Sequence, residues 1–287
     1  MKILTLIEII GLVTEEKVKL KTGKKMSTTT DNNTPKPESN AKRYNPPKDY
    51  APPLVSKFIN WLESMNFKYS VFKDQPIYDN ELFPWVKEIE ADWEKIRKEL
   101  DEVMKDREEL PNFHDIIEQV STITQDNNWK TYILAGHGID CEENRKRCPE
   151  TVKLLDKIPN MLNAFFSILS PKKQIPPHKG PFNGVLRYHL GLIIPEPKEQ
   201  CRIRIDEQIY VWEEGKTVIF DDTYNHQVWN DTDGYRVVLF VDFMRPLKFP
   251  FNIINKLVIN ASLFTPFVKE TEANFKKWEN KFYKERQ

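Results

Sequence analysis

Cysteine is scarce in this chain, with only Cys141, Cys148 and Cys201 in 287 residues. An odd, small number in a chain this long excludes a disulfide-stapled miniprotein and favours a reducing compartment. A Cys141–Cys148 bridge stays open as a local loop closure in an oxidising one. Two cysteines with no Cys/His cluster around them are weak grounds for zinc. An excess of either charge is absent as well, since Lys+Arg and Asp+Glu both number 43. No global field therefore draws the chain to nucleic acid or to an anionic membrane, and partners must be read from a site. Long apolar runs are also missing: Ile3 to Val13 is interrupted by Glu8, is too short to span a bilayer and meets no small-residue cleavage site. The expectation is a cytoplasmic chain without a transmembrane segment, peripheral membrane association being left open. Residues 1–48, which include the polar run MSTTTDNNTPKPESN after Met26, are expected to be a disordered leader, with Met1 and Met26 both candidate starts.

What is present falls into three parts. Residues 49–128 are expected to be helical and to pack on a larger core. From Pro84, the side chains Val86, Ile89, Trp93, Ile96, Leu100 and Val103 recur at steps of three and four, one apolar stripe with Glu and Lys opposite. Two further helices are expected near Leu54–Ser64 and Phe113–Ile123. Over residues 129–247, short β-rich runs recur between turn signals: TYILAG, AFFSIL, VLRYHLGL, CRIRI, IYVW, TVIF, HQVW and YRVVLFVDF. Gly180, Gly184, Gly191, Gly215 and Gly234, five of the nine glycines, punctuate these runs. The spacing predicts a mainly β protein with an antiparallel jelly-roll or cupin-like core and flanking α-helices. Residues 248–287 are read as a helical tail, in which FPFNIINKLVINASLF is amphipathic, fit to pack on the barrel or to rest on a membrane, and the last segment is a solvated helix.

The chemistry-bearing residues are few. Of five histidines, His114 and His137 look incidental, whereas His178, His189 and His226 fall in the β region. Two histidines and a carboxylate form the facial triad of mononuclear iron oxygenases. The carboxylate belongs two residues after the first histidine, and Gly180 stands there, so the triad lacks an arm or the site holds no metal. Strand alternation places Val185, Arg187 and His189 on one face. Arg236 opens a strongly apolar strand, and a cation there needs an anionic partner: a structural carboxylate such as Asp222, or a small dicarboxylate held by the guanidinium fork.

The segments IPPHKGPFNGVLRYHLGLIIP and WEEGKTVIFDDTYNHQVWNDTDGYRVVLFVDFMRP, with CPETVKLLDKIPNMLNAFFSILSP upstream, resemble the aspartyl/asparaginyl β-hydroxylase family of iron(II)- and 2-oxoglutarate-dependent oxygenases. The likeness implies a double-stranded β-helix, iron ligated by His178 and His226, and 2-oxoglutarate held by Ser167, Arg187, His189 and Arg236, with O2 as the second co-substrate. It implies too that a glycine at the carboxylate position is a family trait, with water in its place. One departure stands out: Val185 occupies a position where the animal peptide hydroxylases carry an arginine that grips an acidic substrate side chain. The run FNGVLRYHLGL and the DTYNH block are also similar to bacterial lipid A 2-hydroxylases of the same superfamily.

Three functions follow as expectations. The first is a dioxygenase hydroxylating an Asp- or Asn-like residue of a peptide or protein. The second is the same chemistry on a lipid acyl chain, and the third is a non-catalytic β-helix binding domain. The first two are enzymes with iron(II), 2-oxoglutarate and O2 at one site, and intact His178, His226 and Arg236 speak against the third. Oligomeric state is not legible in the chain.

Overall fold

The computed structural model describes residues 53–284; the expected leader over 1–48 lies outside them. The described chain opens with helix α1 (Pro53–Tyr69) and the short strand β1 (Ile77–Tyr78), followed by α2 (Trp85–Ala91), α3 (Trp93–Met104) and α4 (Phe113–Ile116). The apolar stripe from Val86 is real, with Val86, Ile89, Ile96, Leu100 and Val103 all buried. It is split between two helices, because the chain turns at Asp92, whose amide donates to the Ile89 carbonyl.

Strand β2 (Trp129–Ala135), helices α5 (Glu142–Arg147) and α6 (Pro149–Leu155), and strands β3 (Met161–Leu169), β4 (Gln174–His178) and β5 (Val185–Ile193) follow. Then come β6 (Cys201–Ile205), β7 (Gln208–Val211), β8 (Thr217–Phe220), β9 (His226–Asn230) and β10 (Arg236–Met244), before α7 (Phe251–Ala261) and α8 (Pro266–Lys284). All eight β-rich runs of the sequence lie on strands. They form two antiparallel sheets, ordered β1-β8-β5-β10-β3-β2 and β4-β9-β6-β7. This is the expected double-stranded, jelly-roll architecture.

The period of two along each strand divides the core. On the larger sheet Leu186, Tyr188, Leu190, Leu239 and Val241 face outward to the helices, in one cluster with Ile96 and Leu100. The opposite face carries Phe165, Leu169, Val218, Phe220, Val238 and Phe240, which meet Ile203, Ile205 and Val228 of the smaller sheet. Residues on that inner face are enclosed between the sheets, and the polar ones among them must find partners there.

One expectation needs correction, and one pairing left open is resolved. The final segment is no fully solvated helix: α8 buries Val268, Phe275 and Phe282 at helical spacing, and Phe275 is fully enclosed. Cys141 and Cys148 are free thiols in different core clusters, so no bridge closes that loop.

Candidate functional site

His178 ends β4 and His226 begins β9, and the ladder pairs them directly across the smaller sheet. Their ring centroids are 4.1 Å apart. Each ring is fixed in the same way: His178 Nδ1 lies 2.8 Å from the Pro176 carbonyl, and His226 Nδ1 lies 3.0 Å from the Tyr224 carbonyl. A carbonyl only accepts, so each Nδ1 carries the proton and each Nε2 keeps its lone pair, the arrangement of a metal-ligating imidazole with a backbone carbonyl behind it. Burial, helped by nearby Arg187, pushes the His178 imidazole down to about 4. Burial drives His226 well below the ordinary range, with His178 and Arg187 adding to it. Both rings are neutral, as ligands must be. Among the described residues no group of three His, Cys, Asp or Glu side chains converges as a metal cluster. The two Nε2 atoms are the donors that this pair could offer a metal ion.

Gly180 leaves a space that Asp222 uses. A Cβ built on Gly180 would lie 2.1 Å from the Asp222 carboxylate, and the Gly180 amide donates to the Asp222 carbonyl at 2.7 Å. The space that a side chain at position 180 would take is thus filled by the carboxylate of Asp222, from the loop before His226. Burial raises the Asp222 carboxyl to about 7, against the opposing pull of Arg187. That loop is held from behind by an enclosed ion pair between Asp221 and Arg245, and Arg245 Nη1 also donates to the Tyr78 hydroxyl at 2.8 Å.

Asp222 was one candidate partner for Arg236, and the structure gives it to Arg187 instead. Arg187 Nη2 is 2.9 Å from Asp222 and its Nε is 2.9 Å from Asp242. Arg187 is therefore already neutralised by protein carboxylates. Arg236 is not. It is 1% exposed, and its Nε and Nη1 are buried with no hydrogen-bond partner. Its guanidinium lies 4.6 Å over the Trp212 ring. Burial lowers its pKa to about 10, an unusual displacement for a guanidinium. His189 is equally orphaned, with both ring nitrogens buried and unpartnered. Ser167, on the same inner face, accepts a 3.0 Å bond from Trp129 Nε1, which leaves its hydroxyl proton to donate elsewhere. Buried donors in native proteins are almost always satisfied, so the unpartnered Arg236 and His189, on the inner face that also carries the Ser167 hydroxyl, could take an anionic, oxygen-rich ligand.

Val185 shares its strand face with Arg187 and His189, yet the cavity it lines includes neither of them. It lines an apolar cavity of about 340 Å³ with Phe165, Pro181, Phe182, Val258 and Phe267. Phe165 stacks on Phe240 at 4.2 Å, and Phe240 lies 4.8 Å from His189 and 4.3 Å beneath Arg187. These two rings stand between the charged interior and the apolar cavity. Pro181 and Phe182 belong to the loop just after His178, which joins the two. His137, expected to be incidental, also lines this cavity and bonds the Ile259 carbonyl at 3.2 Å. Sequence reasoning missed the placing of Asp222, Asp242 and Trp212; the acidic pair preceding His226 was the available signal.

The fold defines a class, a double-stranded β-helix, here with two histidines paired across its smaller sheet. A sequence profile of the Aspartyl/Asparaginyl beta-hydroxylase family matches residues 90–246. An ornithine lipid ester-linked acyl 2-hydroxylase from Rhizobium tropici is 51% identical over 227 residues, covering 79% of this chain and 81% of that protein. The human aspartyl/asparaginyl beta-hydroxylase is 36% identical over 166 residues, 56% of this chain and 21% of that protein. Among solved structures, a Pseudomonas putida prolyl-4-hydroxylase aligns with TM-score 0.38 and 16% identity over 54% of this chain and 88% of that one. The chain belongs to the aspartyl/asparaginyl beta-hydroxylase family of hydroxylases.

Proposed function

We propose that the protein is an iron(II)- and 2-oxoglutarate-dependent dioxygenase that hydroxylates an ester-linked acyl chain of an ornithine-type lipid. One observation carries the co-substrate assignment: Arg236 is an enclosed cation with two unpartnered donors, and among small metabolites a dicarboxylate answers its geometry bidentately. His178 and His226 would hold the metal through Nε2, and Ser167 and His189 would supply further donors to the co-substrate. The Arg187 charge, already matched by Asp222 and Asp242, suits it to orient those carboxylates beside the metal more than to bind a third anion. When loaded, such a site supplies oxidation coupled to loss of CO2 from 2-oxoglutarate, with one oxygen atom inserted into a C–H bond.

The protein's own contribution is positioning. Phe165, which lines the apolar cavity, stacks on Phe240, which lies against His189 and Arg187, so these rings would divide a hydrocarbon chain in the cavity from a dicarboxylate in the charged interior. A cavity walled by Val185, Phe165 and Phe182 gives methylene groups a favourable environment and gives a substrate carboxylate no cation. This favours the acyl chain over the acidic peptide side chain that was the first expectation. The similarity to the lipid hydroxylase over most of both chains points the same way. The test is mass spectrometry of ornithine lipids and of acidic peptides incubated with protein, iron(II), ascorbate and 2-oxoglutarate. A 2-oxoglutarate-dependent gain of one oxygen on the ester-linked chain is expected. Oxygen gained only on peptides would reinstate the alternative, and no gain on any substrate, with no 2-oxoglutarate turnover, would return the chain to a binding domain.

A further inference from the structure

Helices α1 and α7 lie side by side, with Trp61 and Phe251 ring centroids 5.9 Å apart and Tyr69 and Phe251 4.4 Å apart. Their inner faces are anchored: Leu62 and Phe251 form a small buried cluster, and Asn255 Nδ2 donates to the Gly184 carbonyl at 2.8 Å. Their outer faces are apolar and bare. Leu54 and Trp61 on α1 are 70% and 47% exposed, Leu257 on α7 is 59% exposed, and flanking Phe249 and Phe264 are 75% and 61% exposed. Large side chains spaced i, i+7 on one helix and i, i+4 on the next, as Ile253 and Leu257 are, form a contiguous patch rather than scattered exposure. Patches of that kind mark a surface that something covers.

We propose that this face docks the protein on an anionic phospholipid surface, with α1 and α7 lying in the headgroup layer. The charge pattern selects the occupant. Across residues 53–69 and 248–264 the chain carries Lys57, Lys68, Lys248 and Lys256 against Glu63 alone, a net charge of +3 in a protein whose overall net charge is 0. Apolar side chains with a tryptophan, rimmed by lysines, are the composition of an interfacial amphipathic helix. A second copy of the chain meeting this patch isologously would set one excess of lysines against the other, whereas an anionic lipid surface neutralises both. No single helix among the described residues is long and apolar enough to cross a membrane.

The face also borders the apolar cavity. Phe182 and Val258 belong both to the cavity wall and to the cluster that packs α1 against α7, and Phe267 at the cavity is 38% exposed. A lipid lying against the docked face has its acyl chain beside that cavity, a consequence that rests on the acyl-chain reading above, although the docking itself does not.

The experiment is co-sedimentation of the full chain with phosphatidylcholine vesicles, alone or mixed with phosphatidylglycerol. Wild type should partition onto the mixed vesicles at least about tenfold more strongly than onto the neutral ones. A surface variant, Trp61→Ser with Leu257→Ser, should lose at least about tenfold of that binding, the scale of removing two exposed apolar anchors. Lys57→Glu with Lys256→Glu should lose the preference for anionic lipid. Both variants should keep circular dichroism and turnover on a water-soluble short-chain acyl substrate. Wild type remaining in the supernatant, variants sedimenting like wild type, or a concentration-dependent dimer that the Ser variant dissolves would each overturn the proposal. Vesicle binding lost in the variants supports docking whichever molecule is hydroxylated, and hydroxylation of soluble lipid without vesicle binding removes the docking while leaving the acyl-chain reading intact.

Discussion

Gly180 and Asp222 share one volume: a side chain begun at Gly180 would have its Cβ 2.1 Å from the Asp222 carboxylate. The glycine at the usual carboxylate position of a facial triad is therefore a steric requirement of this site. Restoring an acidic residue by Gly180→Asp should not create a better metal site. It should force Asp222 out of its bond with Arg187, bring two carboxylates together and lower stability by about 1–3 kcal/mol, the common cost of overpacking. Thermal denaturation checks this, and Asp222→Gly in the same chain should recover part of the loss. Additive effects of the two changes would show that the residues do not compete for space.

Arg236 gives a prediction in which stability and function part company. An enclosed guanidinium without a carboxylate is costly in the unliganded protein, and neutral replacement of uncompensated buried charge often stabilises. Arg236→Met should therefore raise, or at least preserve, the melting temperature of the unliganded protein. It should also abolish the stabilisation that 2-oxoglutarate confers on wild type and raise the KM for 2-oxoglutarate at least about tenfold, since truncating one member of a desolvated charge pair costs roughly 2–5 kcal/mol. Strong destabilisation with unchanged 2-oxoglutarate dependence would make Arg236 a structural cation.

The histidine pair and Asp222 together set a proton signature for metal binding. His178, pushed down to about 4, and His226, held well below the ordinary imidazole range, are neutral at pH 6 and release no proton on binding a metal. Asp222, raised to about 7, is mostly protonated there, and a divalent cation beside it lowers its pKa and expels that proton. Calorimetry of Mn(II) binding in buffers of different ionisation enthalpy should show close to one proton released at pH 6, little at pH 8.5, and little at pH 6 in Asp222→Asn. His226→Ala should lose metal binding at every pH, together with metal-dependent decarboxylation of 2-oxoglutarate. Proton release unchanged in Asp222→Asn would assign the proton to another group.

The sequence showed eight of the ten described strands because each of those reads as a β-rich run bounded by turns. Strand β4 escaped because Gln174–His178 contains Pro176 and Pro177, which lack ladder donors; it survives as an edge strand whose register slips between Ile175 and His178. Arg187, His189 and Arg236 were legible as inner-face residues from alternation alone. Their partners were not: Asp242 meets Arg187 through the register in which β10 pairs with β5, and Asp222 meets it because the loop before His226 folds back beneath Gly180, neither of which the sequence displays. The split at Asp92 and the buried face of α8 had the same cause: periodicity marks an apolar stripe without saying where the chain turns or what the stripe meets.

Val185 offers the sharpest discrimination between substrate classes. It lines the apolar cavity with Phe165 and Phe182, and no lysine or arginine contributes to that cavity wall. Val185→Arg would place a cation where hydrocarbon is proposed to lie, and burying an unpaired charge in such surroundings costs several kcal/mol or drives the side chain across the cavity. Turnover of an ester-linked acyl substrate should fall at least about tenfold, while the KM for 2-oxoglutarate stays near wild type because Phe165 and Phe240 separate the two regions. The same variant should gain activity on acidic peptides if a peptide can reach the histidine pair by this route. Undiminished lipid turnover in Val185→Arg would place the acyl chain outside the cavity.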